Sequence, residues 1–211
     1  MDKVNILGSP FYRFYYPDIK TVEKNLKKLV YQPNPFNQAQ SNWIYEGVSP
    51  DGNNKNLHTL PQFKDLFDWM HKCLDEVGKD LKITSKLTAC SSWCNLNKKG
   101  DFFHDHEHPN SFISSNLYVT GHERDKTVWY APNPYFISLY PIGPDGFDNK
   151  VHLLQYSEPT EPGKFIVFPS MISHYADKNS SDEDRITIAV NFFPTGTITC
   201  GGVSTLRIEV Q

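Results

Sequence analysis

The chain reads as an α+β protein, with two amphipathic helices followed by a run of short strands that close into a sandwich or barrel. Three observations predict this. Before residue 82, apolar residues recur at helical spacing in two stretches. After Lys82 the pattern changes to short segments rich in β-branched and aromatic residues, separated by turn signals. The 211 residues, 38% hydrophobic and 14% aromatic, have an ordinary globular composition, and no self-similarity is visible at periods of about 20–50 residues. We therefore expect one domain over 1–211, with N-terminal helices and edge strands in 1–82 and the β core in 83–211.

Residues 5–16 are aromatic and interrupted by Gly8 and Pro10, as in a strand and turn at a sheet edge. Between Asp18 and Val30, Ile19, Val22, Leu26, Leu29 and Val30 form one helical stripe, and Pro33 and Pro35 signal its stop. Residues 33–58 have a loop composition, with Trp43, Ile44 and Tyr45 as an apolar island fit for a short strand. The clearest helix follows, with Phe63, Leu66, Phe67, Met70, Leu74, Val77 and Leu81 on one face. Thr59 and Gln62 are spaced as a capping box, and Pro61 sits in the first turn. Strands are expected at 83–97, 102–106, 111–119, 128–131, 136–140, 151–155, 164–168, 185–193 and 206–210.

Charge argues against one class of function. With 21 basic and 24 acidic residues the net charge is -3, which provides no basic stripe for nucleic acid. Lys24, Lys27 and Lys28 read as a solvated helix face. No apolar run approaches the roughly 20 residues that cross a bilayer, and the N-terminus lacks a signal-peptide core, so the expectation is a soluble, cytoplasmic protein. Cys73, Cys90, Cys94 and Cys200 follow no framework spacing and read as free thiols.

The chemistry concentrates at Phe102-Phe103-His104-Asp105-His106-Glu107-His108-Pro109, behind a turn at Lys98-Lys99-Gly100-Asp101. On an extended backbone His104, His106 and His108 share one face, and Asp105 and Glu107 take the other. About sixty residues later His174 follows the apolar run Gly163–Ser170, and Arg185 opens Ile186-Thr187-Ile188-Ala189-Val190-Asn191-Phe192. Together these predict an iron site. Non-haem oxygenases usually bind iron through two imidazoles and a carboxylate, but the positions two beyond His104 and His106 are themselves histidines.

The segments Ser92-Trp93-Cys94-Asn95, His106-x-His108-Pro109-Asn110-Ser111, Ser114 through Tyr118-Val119, Phe168-Pro169-Ser170, His174 and Arg185 through Phe192 resemble the 2-oxoglutarate and iron(II)-dependent oxygenases frequent in marine phages and bacteria. The resemblance covers residues 90–193. It implies a double-stranded β-helix, or jelly-roll, core flanked by N-terminal helices, with Fe(II) and 2-oxoglutarate bound in its mouth. Two departures stand out. The family's S-G-V-Y-Y reads Ser114-Ser115-Asn116-Leu117-Tyr118 here, and the stretch 119–163 is long, with Trp129, Tyr130, Pro132, Pro134 and Tyr135 suggesting a lid.

The resemblance implies His106, His108 and His174 as metal ligands and makes His104 a neighbour, although spacing alone leaves a set containing His104, or a carboxylate reached through a bulge, open. Arg185 supplies a bidentate fork for the distal carboxylate of 2-oxoglutarate, and Thr187 adds a hydroxyl on the same strand face. Asn191 shares that face and is expected to hydrogen-bond the chelating end of the co-substrate; the resemblance places Tyr118 and Asn95 on inner strands, where they are expected to do the same. The implied reaction couples decarboxylation of 2-oxoglutarate to oxidation of a substrate C–H by O₂, with hydroxylation as the default outcome. The cytoplasm would be a host's if the gene is a phage's. Protein-bound proline, a free amino acid, a nucleobase and a lipid all remain compatible as substrate. Two other readings compete: a three-His cupin-type dioxygenase without 2-oxoglutarate, which leaves Arg185 without a task, and a jelly-roll binding or virion-associated module.

Overall fold

The computed structural model describes residues 1–6, 9–29, 32–33, 42–45, 57–130, 155–200 and 204–208. Among them are thirteen strands and two α-helices: β1 Asp2–Ile6, β2 Ser9–Tyr15, α1 Ile19–Leu26, β3 Gln32–Pro33, β4 Asn42–Tyr45, α2 Lys64–Asp80, β5 Lys86–Asn97, β6 Phe103–His106, β7 Ile113–Thr120, β8 Lys126–Tyr130, β9 Gln155–Pro159, β10 Lys164–Pro169, β11 His174–Ala176, β12 Arg185–Cys200 and β13 Ser204–Ile208.

From β5 onward the chain alternates between two antiparallel sheets. The larger runs β1-β2-β10-β7-β12-β5-β4-β3, with β13 paired to β12, and the smaller runs β6-β11-β8-β9. Strands β5, β7, β10 and β12 thus interleave in sequence with β6, β8, β9 and β11, which is the double-stranded β-helix the resemblance implies. The helices cover the outer face of the larger sheet. Their apolar stripes, Val22 and Leu26 on α1 and Leu66, Phe67, Met70, Leu74 and Val77 on α2, join Leu117, Ile186, Ile188, Val190 and Phe192 in one core. Each such side chain contributes roughly 1.5–3 kcal/mol by leaving water. A second cluster of Phe11, Tyr118, Trp129, Ile166, Phe168 and Ile172 fills the space between the sheets. Glu158, 5% exposed, pairs with Arg13 of β2 and Lys164 of β10, tying the rim of the smaller sheet to the larger one.

Several boundaries differ from expectation for physical reasons. Helix α2 is entered through two 3-10 turns, Leu57–Thr59 and Pro61–Phe63, so the cap positions of the second turn and of α2 fall on Leu60 and Phe63, neither with a side-chain cap bond, rather than on Thr59. Pro61 does occupy the first turn. Strand β6 ends at His106, and His108 lies two residues beyond it in a loop, so the three histidines do not share one extended face. Trp129 and Tyr130 belong to β8 rather than to a lid. The expected strand at 136–140 lies outside the described residues, as do Pro132, Pro134 and Tyr135. Strand β9 begins at Gln155, where the expected 151–155 strand was to end. The three-residue β11 is too short for its pattern to be seen in sequence.

Among the described residues Cys73, Cys90 and Cys94 form no disulfide, as expected. No helix among the described residues is long and apolar enough to cross a membrane.

Candidate functional site

Alternation along β12 builds the site. Ile186, Ile188, Val190 and Phe192 point to the helices, so Arg185, Thr187, Ala189 and Asn191 point between the sheets. Register then sets their neighbours. On β5, Asn97, Asn95, Trp93 and Ser91 stand opposite those four residues in that order, and on β7 Tyr118 faces Thr187 and Asn116 faces Ala189. These side chains line a cavity of about 540 Å³ whose other wall is the smaller sheet, with His106, Trp129 and His174.

Strand β11 lies between β6 and β8, with His174 directly opposite His106 on one side and Trp129 on the other. The ring centroids of His106 and His174 are 4.3 Å apart, and that of His108 lies 5.1 and 5.2 Å from them. One nitrogen from each ring falls within 4.8 Å of the other two, and this is the one group of three metal-capable side chains among the described residues. The His108 and His174 Nε2 atoms are 3.4 Å apart. Two nitrogens each about 2.1 Å from one ion, at right angles, stand about 3 Å apart, so the pair fits a shared metal.

Backbone carbonyls orient two of the rings. The His106 Nδ1 lies 2.8 Å from the carbonyl of His104, and the His174 Nδ1 lies 2.9 Å from that of Ile172. A proton on each Nδ1 satisfies these contacts and leaves Nε2 as a lone-pair donor. Burial lowers the His106 pKa. Burial, followed by the proximity of His106 and His108, holds His174 well below the usual histidine range. Neutral imidazole is the form a metal takes. His104 is exposed, as are Asp105 and Glu107, and all three stand at the cavity mouth.

Arg185 is 2% exposed, and among the described residues neither of its terminal nitrogens has a hydrogen-bond partner. A buried, unpaired guanidinium is costly, and burial lowers its pKa, with Asp125 the foremost of the acids that offset this. It does not pair with Asp182, which binds Lys99 instead. Gly121, with φ 146°, makes room for it: a Cβ there would meet Thr160 Cγ2 at 2.3 Å and Arg185 Cγ at 3.2 Å. Such a charge fits a bound carboxylate, which would restore its hydrogen bonds.

Each residue expected at the site lines this cavity, with distinct surroundings. Thr187 is buried and faces Asn95, whose Oδ1 is buried without a partner. Tyr118 is fully buried, donates to Thr127 Oγ1 at 2.8 Å, and has its pKa raised by that burial. The Asn191 amide is engaged on both sides, Oδ1 with Ser114 at 2.8 Å and Nδ2 with Ser91 at 3.1 Å. The sequence reading missed Asn97 and Trp129, whose Nδ2 and Nε1 are buried without partners, as well as Asn116. Extending the two-residue period from Asn95 and Tyr118 would have found both asparagines. Trp129 became readable only once β11 was placed beside it.

A cavity between jelly-roll sheets, with three imidazoles and an unpaired guanidinium, defines a metal-dependent enzyme that takes a carboxylate-bearing partner. Residues 91–191 match the family model described as "Putative 2OG-Fe(II) oxygenase". The chain is an enzyme of that class, a 2-oxoglutarate- and Fe(II)-dependent oxygenase. No curated protein sequence matches it. Solved structures share the fold. A Pseudomonas putida prolyl-4-hydroxylase is 13% identical at TM-score 0.55, covering 88% of this chain and 93% of its own. HygX from Streptomyces hygroscopicus, solved with nickel, 2-oxoglutarate and hygromycin B, is 11% identical at TM-score 0.60, covering 88% and 83%. The epimerase SnoN from nogalamycin biosynthesis is 11% identical at TM-score 0.60, covering 92% and 82%.

Proposed function

We propose that His106, His108 and His174 hold the ferrous ion, that Arg185 with Thr187 binds the distal carboxylate of 2-oxoglutarate, and that the outcome is hydroxylation of a substrate C–H. The observation that carries this reading is the buried Arg185, whose terminal nitrogens have no hydrogen-bond partner among the described residues, in the same cavity as the three imidazoles. Three imidazoles alone also suit a dioxygenase without a co-substrate, but that enzyme has no use for the arginine.

The bound metal and co-substrate supply O₂ activation and the oxidising power for C–H cleavage. The protein's part is orientation and shielding. The carbonyls of His104 and Ile172 hold the His106 and His174 rings with Nε2 inward. Arg185 and Thr187 fix a diacid by its far end, and Tyr118 and Asn95 line the path from that end to the histidines. Trp93, Trp129 and Phe168 are apolar walls that limit water. A C–H-bearing group small enough to share about 540 Å³ with the co-substrate is the primary substrate. Cysteines outside any disulfide at Cys73, Cys90 and Cys94 agree with a reducing, cytoplasmic setting that keeps iron ferrous.

Supplying anaerobically purified protein with Fe(II), 2-oxoglutarate and O₂ tests this. Succinate forms in wild type, and neither His174→Ala nor Arg185→Ala forms it at the same co-substrate concentration. Equal succinate from Arg185→Ala would overturn the co-substrate assignment.

A further inference from the structure

Three buried serines, Ser111, Ser114 and Ser170, stand near the histidines. Ser170, 1% exposed, follows β10 in the turn that leads to His174. Its carbonyl accepts the His108 backbone N–H at 3.0 Å, and two residues on Ile172 presents the carbonyl that meets His174 Nδ1. This one turn therefore touches two of the three histidines.

A chain of buried hydroxyls holds the turn. Ser170 Oγ donates to Ser111 Oγ at 2.8 Å, and Ser111 Oγ donates to the carbonyl of Ile113 at 2.9 Å. Ser111 N–H in turn donates to the carbonyl of His108 at 3.2 Å. Ser114 Oγ, 1% exposed, lies 2.9 Å from Ser170 Oγ and 2.8 Å from the Asn191 amide, whose other end reaches Ser91 on β5. The proton count constrains the chain. The single Ser114 proton is shared between Ser170 Oγ and Asn191 Oδ1, and Asn191 Nδ2 donates to Ser91 Oγ, so the amide uses its acceptor end on one side and its donor end on the other. A side chain with both a donor and an acceptor end satisfies this, and a carboxylate does not.

We infer that Ser91, Asn191, Ser114, Ser170 and Ser111 form a positioning relay. It anchors the turn that holds the His108 backbone and leads into His174 to β5, β7 and β12, and so sets the affinity of the three-histidine site for a divalent metal. Asn191 acts here through the serines and does not bind the co-substrate. This rests on the three histidines being the metal site.

Calorimetric titration of metal-free protein with Co(II), alongside the 2-oxoglutarate KM at saturating Fe(II), tests it. Ser170→Ala and Asn191→Asp each weaken metal binding roughly 10–100-fold, the range for residues that orient metal ligands, and leave the co-substrate KM within about twofold. Ser114→Ala, one link further from the histidines and leaving the turn's sequence unchanged, weakens it in the same direction and covers the case that Ser170→Ala fails to fold. Unchanged metal affinity in folded Ser114→Ala and Asn191→Asp overturns the relay, as does a raised co-substrate KM with metal affinity intact. The metal site itself fails separately, if wild type binds no Co(II) or His174→Ala binds it as well as wild type does.

Discussion

The two faces of β12 obey different rules. Toward the helices Ile186, Ile188, Val190 and Phe192 are at most 4% exposed and purely apolar. Toward the cavity Arg185 is buried just as deeply with its terminal nitrogens unpaired, and Asn191 is held by serines from two neighbouring strands. The first face stabilises the fold by leaving water. The second gives up stability, because a buried unpaired charge costs several kcal/mol. One strand thus carries both the core and a site that a ligand completes.

Breaking each face separately sharpens the contrast. The largest effect on function belongs to the histidines: His174→Ala should lower metal affinity more than about 100-fold, beyond the range for residues that only orient ligands, as read by Co(II) titration. Next, Arg185→Met should raise the 2-oxoglutarate KM about 30-fold or more, since truncating a buried hydrogen-bonded charge pair costs about 2–5 kcal/mol. The same substitution should stabilise the ligand-free fold by about 1–4 kcal/mol in urea unfolding, because it removes an uncompensated charge. On the opposite face, Ile188→Ala should cost about 2–5 kcal/mol of stability while the folded fraction keeps wild-type metal affinity. If Arg185→Met destabilised the fold as Ile188→Ala does, the two faces would not differ in kind.

A smaller effect comes from pH. His106 and His174 have folded pKa values below the roughly 6.5 of an unfolded histidine. As pH falls through 6.5 toward those lower values, the unfolded chain takes up protons that the native state refuses, so stability of the metal-free protein is present above this window and lost within it. Burial lowers His58 and His71 as well, and they act in the same direction. Thermal melts between pH 7.5 and 5.5 should show the loss in wild type and a shallower slope in His174→Gln. Smaller still, Gly121→Ala should push Thr160 against Arg185 and raise the co-substrate KM several-fold without changing metal affinity.

The apolar face of β12 was fully legible in sequence, because alternation is a local property that survives any tertiary context. The same period placed Arg185, Thr187 and Asn191 on one side. It could not say which of them would be left unpaired, since that depends on strands more than 60 residues away: Ser91 and Ser114 reach Asn191, and no hydrogen-bond partner among the described residues reaches the Arg185 terminus. His108 shows the limit of periodicity. It joins His106 and His174 from a loop held by the Ser170 carbonyl, not from the strand face that alternation suggested. Trp129, expected in a lid, is a buried wall because β8 pairs with the short β11.

The most direct test is a crystal structure with Mn(II) and N-oxalylglycine, a diacid analogue of the co-substrate. The account predicts the metal on one nitrogen each of His106, His108 and His174, with the far carboxylate of the analogue on the Arg185 guanidinium. A metal held by other side chains, or an analogue whose carboxylates leave Arg185 unpaired, would contradict it.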